Sequence, residues 1–162
     1  MLHPSIKVMT YSKIQGTGLY ATAFIPIDTV VWKLDSNEKL LTLYELQQLP
    51  PDRQNLAYEY KGKFIIVSDG SEYMNHSCDP NTWWKGDEIL IARQDIQAGD
   101  EVTYDHATAE IDAKFRSNWD CHCGAVNCRK IIKPDECLDP IFQKVYRGHL
   151  PSWVKEYIKK HC

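Results

Sequence analysis

Apolar and polar positions at the start of the chain follow a period of two. Ile6, Val8 and Thr10 alternate with Lys7 and Met9, and Gln15-Gly16-Thr17-Gly18 then breaks the run. This alternation predicts a strand. Leu19–Thr22 and Thr29–Trp32 predict two more, separated by a turn at Pro26 and Asp28. Thr42 with Glu45 three positions on has the form of a capping box for a short helix over 42–49, which Pro50-Pro51 would stop. Tyr58–Asp69 predicts a hairpin pivoting near Gly62, with Phe64–Val67 too apolar for an exposed edge. Trp83-Trp84 and Ile89–Ile91 flank Gly86-Asp87 as a second hairpin, and Gly99-Asp100 turns the chain into Val102–Tyr104. The pattern over 107–120 is weak, a loop or short helix.

The last third changes period. Asp139-Pro140 ahead of Ile141–Arg147 and Gly148 supplies an N-cap, a first-turn proline and a glycine stop. Ser152–Lys160 places Trp153, Val154, Tyr157 and Ile158 on one helical face. The prediction is a mostly β chain with short helices. No repeat or linker divides it.

At 162 residues, with 43% hydrophobic and 25% charged positions, the chain has the composition of one soluble globular domain. Its net charge of −3 argues against a surface built for phosphate backbones, so no direct nucleic-acid binding is expected. Met1–Ser5 lacks a charged-then-apolar signal, and no apolar run reaches membrane-spanning length. The expectation is therefore a cytoplasmic protein, nuclear in a eukaryote, with no membrane partner. Six cysteines in a reducing compartment point to metal or chemistry rather than disulfides.

Two stretches carry the candidate chemistry. Tyr73–Asn81 packs amides, an imidazole, a hydroxyl and a thiol into nine positions, although the same residue types make ordinary turns. Cys121-His122-Cys123 with Cys128 gathers three thiols in eight residues, which suits tetrahedral zinc. The fourth ligand is not local, and Cys78, Cys137 and Cys162 are the distant candidates. Asp105-His106 beside Ser77 or Cys78 suggests a hydrolase, but no GxSxG elbow supports it. Gly16-Thr17-Gly18 lets backbone approach a ligand closely, a weak signal by itself.

In order, these motifs resemble those of the SET-domain methyltransferases. Gly16–Tyr20 is similar to the family's opening glycine motif. Asn75-His76-Ser77-Cys78-Asp79-Pro80-Asn81 matches its Asn-His-Ser-Cys-x-Pro-Asn signature without a gap. Gly99–Asp105 matches the Gly-Glu-Glu-Leu-x-Tyr/Phe-Asp strand, and Cys121-x-Cys123-x4-Cys128 matches the post-SET segment. The resemblance covers roughly residues 5–130. It implies a β-clip fold of small curved sheets, with a C-terminal pseudoknot and a zinc-binding post-SET segment. The implied divisions are a SET domain at 1–118, the zinc segment at 119–131, and a helical tail at 132–162 packed on the same domain. It implies S-adenosylmethionine as methyl donor and a lysine in a protein or peptide as acceptor, in a monomer or dimer. Gly16, Thr17, Gly18, Leu19, Tyr20, Tyr73, Asn75 and His76 would hold the donor. Cys78 would complete the zinc set with Cys121, Cys123 and Cys128, leaving Cys137 and Cys162 spare.

Tyr104 and His106 would carry the catalytic roles. Here the chain departs from the family pattern, because His106 stands where a tyrosine usually follows the aspartate. A shorter, titratable ring could act as a base. It could equally mark a SET-fold module that binds peptide or donor without turnover. Methylation of a free small amine is a third reading. Tyr104 matches the aromatic position that tunes methyl number, and Val31–Leu34 lacks an aromatic hydroxyl that many relatives carry.

Overall fold

The computed structural model describes residues 1–112 and 117–162, so part of the weak 107–120 stretch lies outside the described residues. Ten short strands dominate the described residues. They are β1 (Ile6–Met9), β2 (Gly18–Ala21), β3 (Val30–Lys33), β4 (Tyr58–Tyr60), β5 (Lys63–Ile65), β6 (Thr82–Trp84), β7 (Ile89–Ala92), β8 (Glu101–Val102), β9 (Trp119–Asp120) and β10 (Ile131–Ile132). Four helices accompany them: α1 (Leu43–Gln47), α2 (Pro51–Gln54), α3 (Pro140–Val145) and α4 (Ser152–His161).

The strands form two three-stranded sheets, ordered β1-β2-β8 and β3-β7-β6, and two ribbons, β4-β5 and β10-β9. Every one of these pairs is antiparallel. β2 is central in its sheet and buried along its whole length, whereas β1 lies at the edge. On β1, Ile6 is buried while Val8, on the same strand face, stays 41% exposed. Lys61 and Gly62 both take positive φ and close the β4–β5 hairpin in two residues, as a mirror-image turn requires.

α1 begins with the capping box that Thr42 and Glu45 predict, each side chain bonded to the other's backbone N–H. Pro50-Pro51 does stop α1, but Pro51 also starts α2, since proline at the first helical position loses no bond. α1 lies over a small satellite core of Leu46, Ala57 and Phe64.

The main core runs from Ile6 to Val154 and takes in the tail. Trp153 lies edge-on to Tyr60 and Trp84, and its Nε1–H donates to the Ala109 carbonyl at 3.0 Å. Asp87, from the β6–β7 loop, accepts the Ser152 N–H and hydroxyl, each at 2.7 Å, and so caps α4 from outside the helix. Burying a side chain such as Trp153 is worth upwards of about 2 kcal/mol, so the tail has its own reason to stay docked. Among the described residues no helix is long and apolar enough to cross a membrane.

Candidate functional site

The site is assembled where two distant segments run side by side. Tyr104 N–H donates to the Asn75 carbonyl at 3.3 Å, and Ser77 N–H donates to the Tyr104 carbonyl at 3.1 Å, a parallel bridge. Asn81 extends the join, its side chain donating to the Glu101 carbonyl and accepting from Thr103 N–H. These bonds set Asn75 and His76 beside Tyr104, Asp105 and His106.

On one side lies the glycine loop. Gly16 adopts φ +52, and an added Cβ there would meet nothing within 4 Å. Gly18 has the opposite surroundings, because a Cβ would sit 2.5 Å from Glu101 Oε1. The Glu101 carboxylate accepts from the Tyr20 hydroxyl at 2.9 Å, the Ser12 hydroxyl at 2.7 Å and Asn75 Nδ2 at 2.8 Å. Asn75 Nδ2 also faces the Thr17 carbonyl at 3.0 Å, so this amide ties the loop to Glu101. Leu19 is fully buried in β2, between Val8 and Val102, and faces the core rather than the loop. Tyr73 ends a 3-10 turn over Ser71–Tyr73 that lies against β2.

His76 is the pivot. Its Nδ1 accepts the His106 backbone N–H at 3.2 Å, which puts the ring proton on Nε2, 3.3 Å from Cys78 Sγ. Burial drives its pKa down to about 3, with Arg129 and His106 adding to the effect and Asp105 opposing it, so the ring is neutral.

Asp105 is fully buried. Arg129 grips it in a two-pronged bond, Nη1 to Oδ2 at 2.8 Å and Nη2 to Oδ1 at 2.7 Å. The Tyr146 hydroxyl donates to Oδ2 at 2.7 Å, and Ala107 N–H donates to Oδ1 at 3.1 Å. His106 Nε2 lies 3.1 Å from the Met74 carbonyl and must be the donor, since a carbonyl only accepts. Its Nδ1 faces Glu110 Oε1 at 3.8 Å.

The Tyr104 ring lies 4.4 Å from His106 and closes one end of an apolar slot of about 30 Å³. Trp32, Tyr58, Ser71, Met74, Trp84 and Leu90 line the rest. Trp32 Nε1 and the Tyr58 hydroxyl are buried there without a hydrogen-bond partner. The slot is about the size of one water or amine head, and its walls suit an alkyl stem.

Four sulfurs converge beneath this layer. Cys78, Cys121, Cys123 and Cys128 bring their Sγ atoms within 4.8 Å of one another, and Cys78 and Cys121 stand 3.7 Å apart. Tetrahedral zinc with Zn–S bonds of about 2.3 Å needs sulfur–sulfur edges of about 3.8 Å, so the donor set fits. Burial pushes the Cys78 thiol up to about 11 and Cys121 upward as well. At Cys123 burial acts the same way, but N–H groups of Cys78 and Ala125 outweigh it and bring the thiol down to about 7. Cys137 and Cys162 stay outside the cluster.

Sequence reasoning assigned no role to Glu101, Arg129 or Tyr146, or to the Met74 carbonyl, and read Asp105 only as half of an Asp-His hydrolase pair. Glu101 and Asp105 lay inside a motif, and Arg129 directly follows Cys128. Tyr146 gave no signal, because its partner is 41 residues away.

Comparison with known proteins matches residues 16–107, more than half of the chain, to the SET domain family. Histone-lysine N-methyltransferase 2D of Homo sapiens is 33% identical over 133 residues, which are 74% of this chain and 2% of that protein. Putative histone-lysine N-methyltransferase ASHH4 of Arabidopsis thaliana is 34% identical over 114 residues, 66% of this chain and 29% of that protein. The chain therefore spans less than a third of either relative's length. A solved structure, that of KRYPTONITE in complex with mCHG DNA and SAH, superposes with a TM-score of 0.57 at 22% identity. The superposition covers 80% of this chain and 29% of that one, a likeness of fold.

Proposed function

The chain belongs to the SET-domain family, and from that premise we propose that it transfers a methyl group from S-adenosylmethionine to a lysine side chain in a protein. The observation that carries the reading is the join of Asn75–Ser77 to Tyr104. It places an aromatic slot of amine width next to the glycine loop. The relatives' names favour a protein acceptor over a free amine.

The residues fit the donor. The Gly16 backbone leaves open space beside its loop, and the neutral His76 ring presents no charge to repel a sulfonium. The donor, when bound, supplies an already activated methyl group. The chain's work is then to orient the acceptor and exclude water. The slot walls Trp32, Tyr58, Trp84 and Tyr104 hold the lysine stem, and burying the amine there favours the neutral, nucleophilic form. Gly16–Tyr20, Tyr73, Asn75 and His76 bound the donor side. The four cysteines hold zinc as a structural tie, and the 132–162 tail belongs to the same folded unit.

His106 favours a second reading on one observation: its two ring nitrogens both face protein groups, Met74 and Glu110. A SET-fold module that binds donor or peptide without turnover would be built this way. Incubation with methyl-labelled donor and lysine peptides, histone tails included, separates the readings. Transfer to lysine is expected, and a His106→Tyr variant should transfer faster. If both proteins bind S-adenosylhomocysteine and neither transfers a methyl group, the enzyme reading is wrong and the binding module stands.

A further inference from the structure

We infer that Tyr146, at the end of α3, is a positioning residue for the methyl-transfer site and acts through Asp105. The inference rests on the function proposed above and extends it to a segment outside the matched residues 16–107.

An ionised carboxylate offers about four acceptor positions. In Asp105 all four are used. Arg129 Nη2 and Ala107 N–H fill Oδ1, while Arg129 Nη1 and the Tyr146 hydroxyl fill Oδ2. The donors come from three parts of the chain: the turn that carries His106, the residue after the last clustered cysteine, and the helical tail. The Arg129 fork fixes the carboxylate in its own plane, and Arg129 is itself held by Glu136, its Nε 2.9 Å from Oε2. Tyr146 adds an anchor from the helical tail, on a hydroxyl outside that ion pair. Its ring is buried at 3% exposure and lies 4.6 Å from Phe142, so its hydroxyl is a fixed point.

That fixed point is passed on. Asp105 Oδ1 holds the Ala107 N–H inside the 3-10 turn over His106–Thr108. The turn sets the His106 backbone N–H on His76 Nδ1 and the His106 ring on the Met74 carbonyl. Tyr146 thus sets the position of the ring that borders the Tyr104 slot, without touching slot or donor.

The test compares Tyr146→Phe with Ser152→Ala, which removes a tail-to-core hydroxyl bond of the same kind, to Asp87 rather than to Asp105. Amide exchange is read at Ala107, and at Ala92, which bonds to the Thr29 carbonyl in another sheet. In Tyr146→Phe, exchange at Ala107 should rise about tenfold over Ala92. In Ser152→Ala the two should change together. With a lysine peptide that the native protein methylates, Tyr146→Phe should lose about tenfold in kcat with peptide KM within twofold, and Ser152→Ala should keep both. Equal acceleration at Ala92 and Ala107 in Tyr146→Phe would mark a merely structural tyrosine and overturn the inference. So would unchanged kcat. If the native protein transfers no methyl group, the proposed function fails, while the exchange comparison still decides the role of Tyr146.

Discussion

At the scale of single residues, Glu101 holds the glycine loop by accepting from Ser12, Tyr20 and Asn75. Asn75 reads as a donor-binding amide, yet its Nδ2 is spent on Glu101 and the Thr17 carbonyl. Gly18 reads as a place for a ligand to approach, yet the group that approaches is the chain's own Glu101. Both roles depend on partners 26 or more residues away, which no local pattern encodes. A prediction follows from the contrast between the two glycines. In Gly18→Ala the new methyl overlaps Glu101 Oε1 at 2.5 Å, so the carboxylate must leave Ser12, Tyr20 and Asn75. Loss of those charge-assisted bonds should cost about 2–3 kcal/mol of stability and loosen the loop. Gly16→Ala meets no atom, and its cost is the left-handed backbone alone, about 1 kcal/mol. Denaturant melts of the two variants, with calorimetry of S-adenosylhomocysteine binding, check the order. A more stable Gly18→Ala than Gly16→Ala would show that Glu101 is not held as described.

At the scale of elements, legibility follows how local the determinant is. α1 is legible because its capping box lies within four residues, and α3 because Asp139 and Pro140 adjoin. The β9–β10 ribbon is not. Each strand has two residues, and what pairs Asp120 with Ile131 is the cysteine cluster enclosed between them. The ribbon should therefore depend on metal. Purified without chelator, the protein should carry one zinc per chain. Stripping it should unpair 119–132 and release Cys78, lowering the melting temperature by 10 °C or more, given that structural zinc is worth on the order of 10 kcal/mol in small sites. Metal analysis finding no zinc would refute this. Cys128→Ser should reproduce the loss, while Cys162→Ser, outside the cluster, should leave zinc content unchanged. Thr42→Ala makes the contrasting case, a capping loss of about 1 kcal/mol that leaves zinc bound.

At the scale of the whole molecule, the mostly β architecture was readable from period-two runs and turn residues. The pairing of 75–82 with 101–105 was not readable from any local pattern, because it joins segments with no shared periodicity. One consequence of folding all these pieces onto one core is a carboxylate trapped inside it. Glu59 on β4 is 4% exposed, and its Oε2 accepts the N–H groups of Ile111 and Asp112, each at 2.9 Å. Burial raises its pKa to about 7, the acidic neighbours Asp112 and Glu110 add to the rise, and the two N–H bonds hold it in check. The folded state therefore binds a proton at Glu59 more tightly than the unfolded chain does. Between the unfolded value near 4.5 and about 7, raising the pH removes stability instead of adding it. At about 1.4 kcal/mol per unit, the loss across this window is at most about 3 kcal/mol. Glu59→Gln keeps an oxygen for both N–H groups and cannot ionise. Its melting temperature should match the native protein's near pH 4.5 and exceed it at pH 8, by several degrees if most of the loss is realised. Parallel melting curves from pH 4.5 to 8 would place the Glu59 carboxylate in water, and with it the 111–112 segment away from β4.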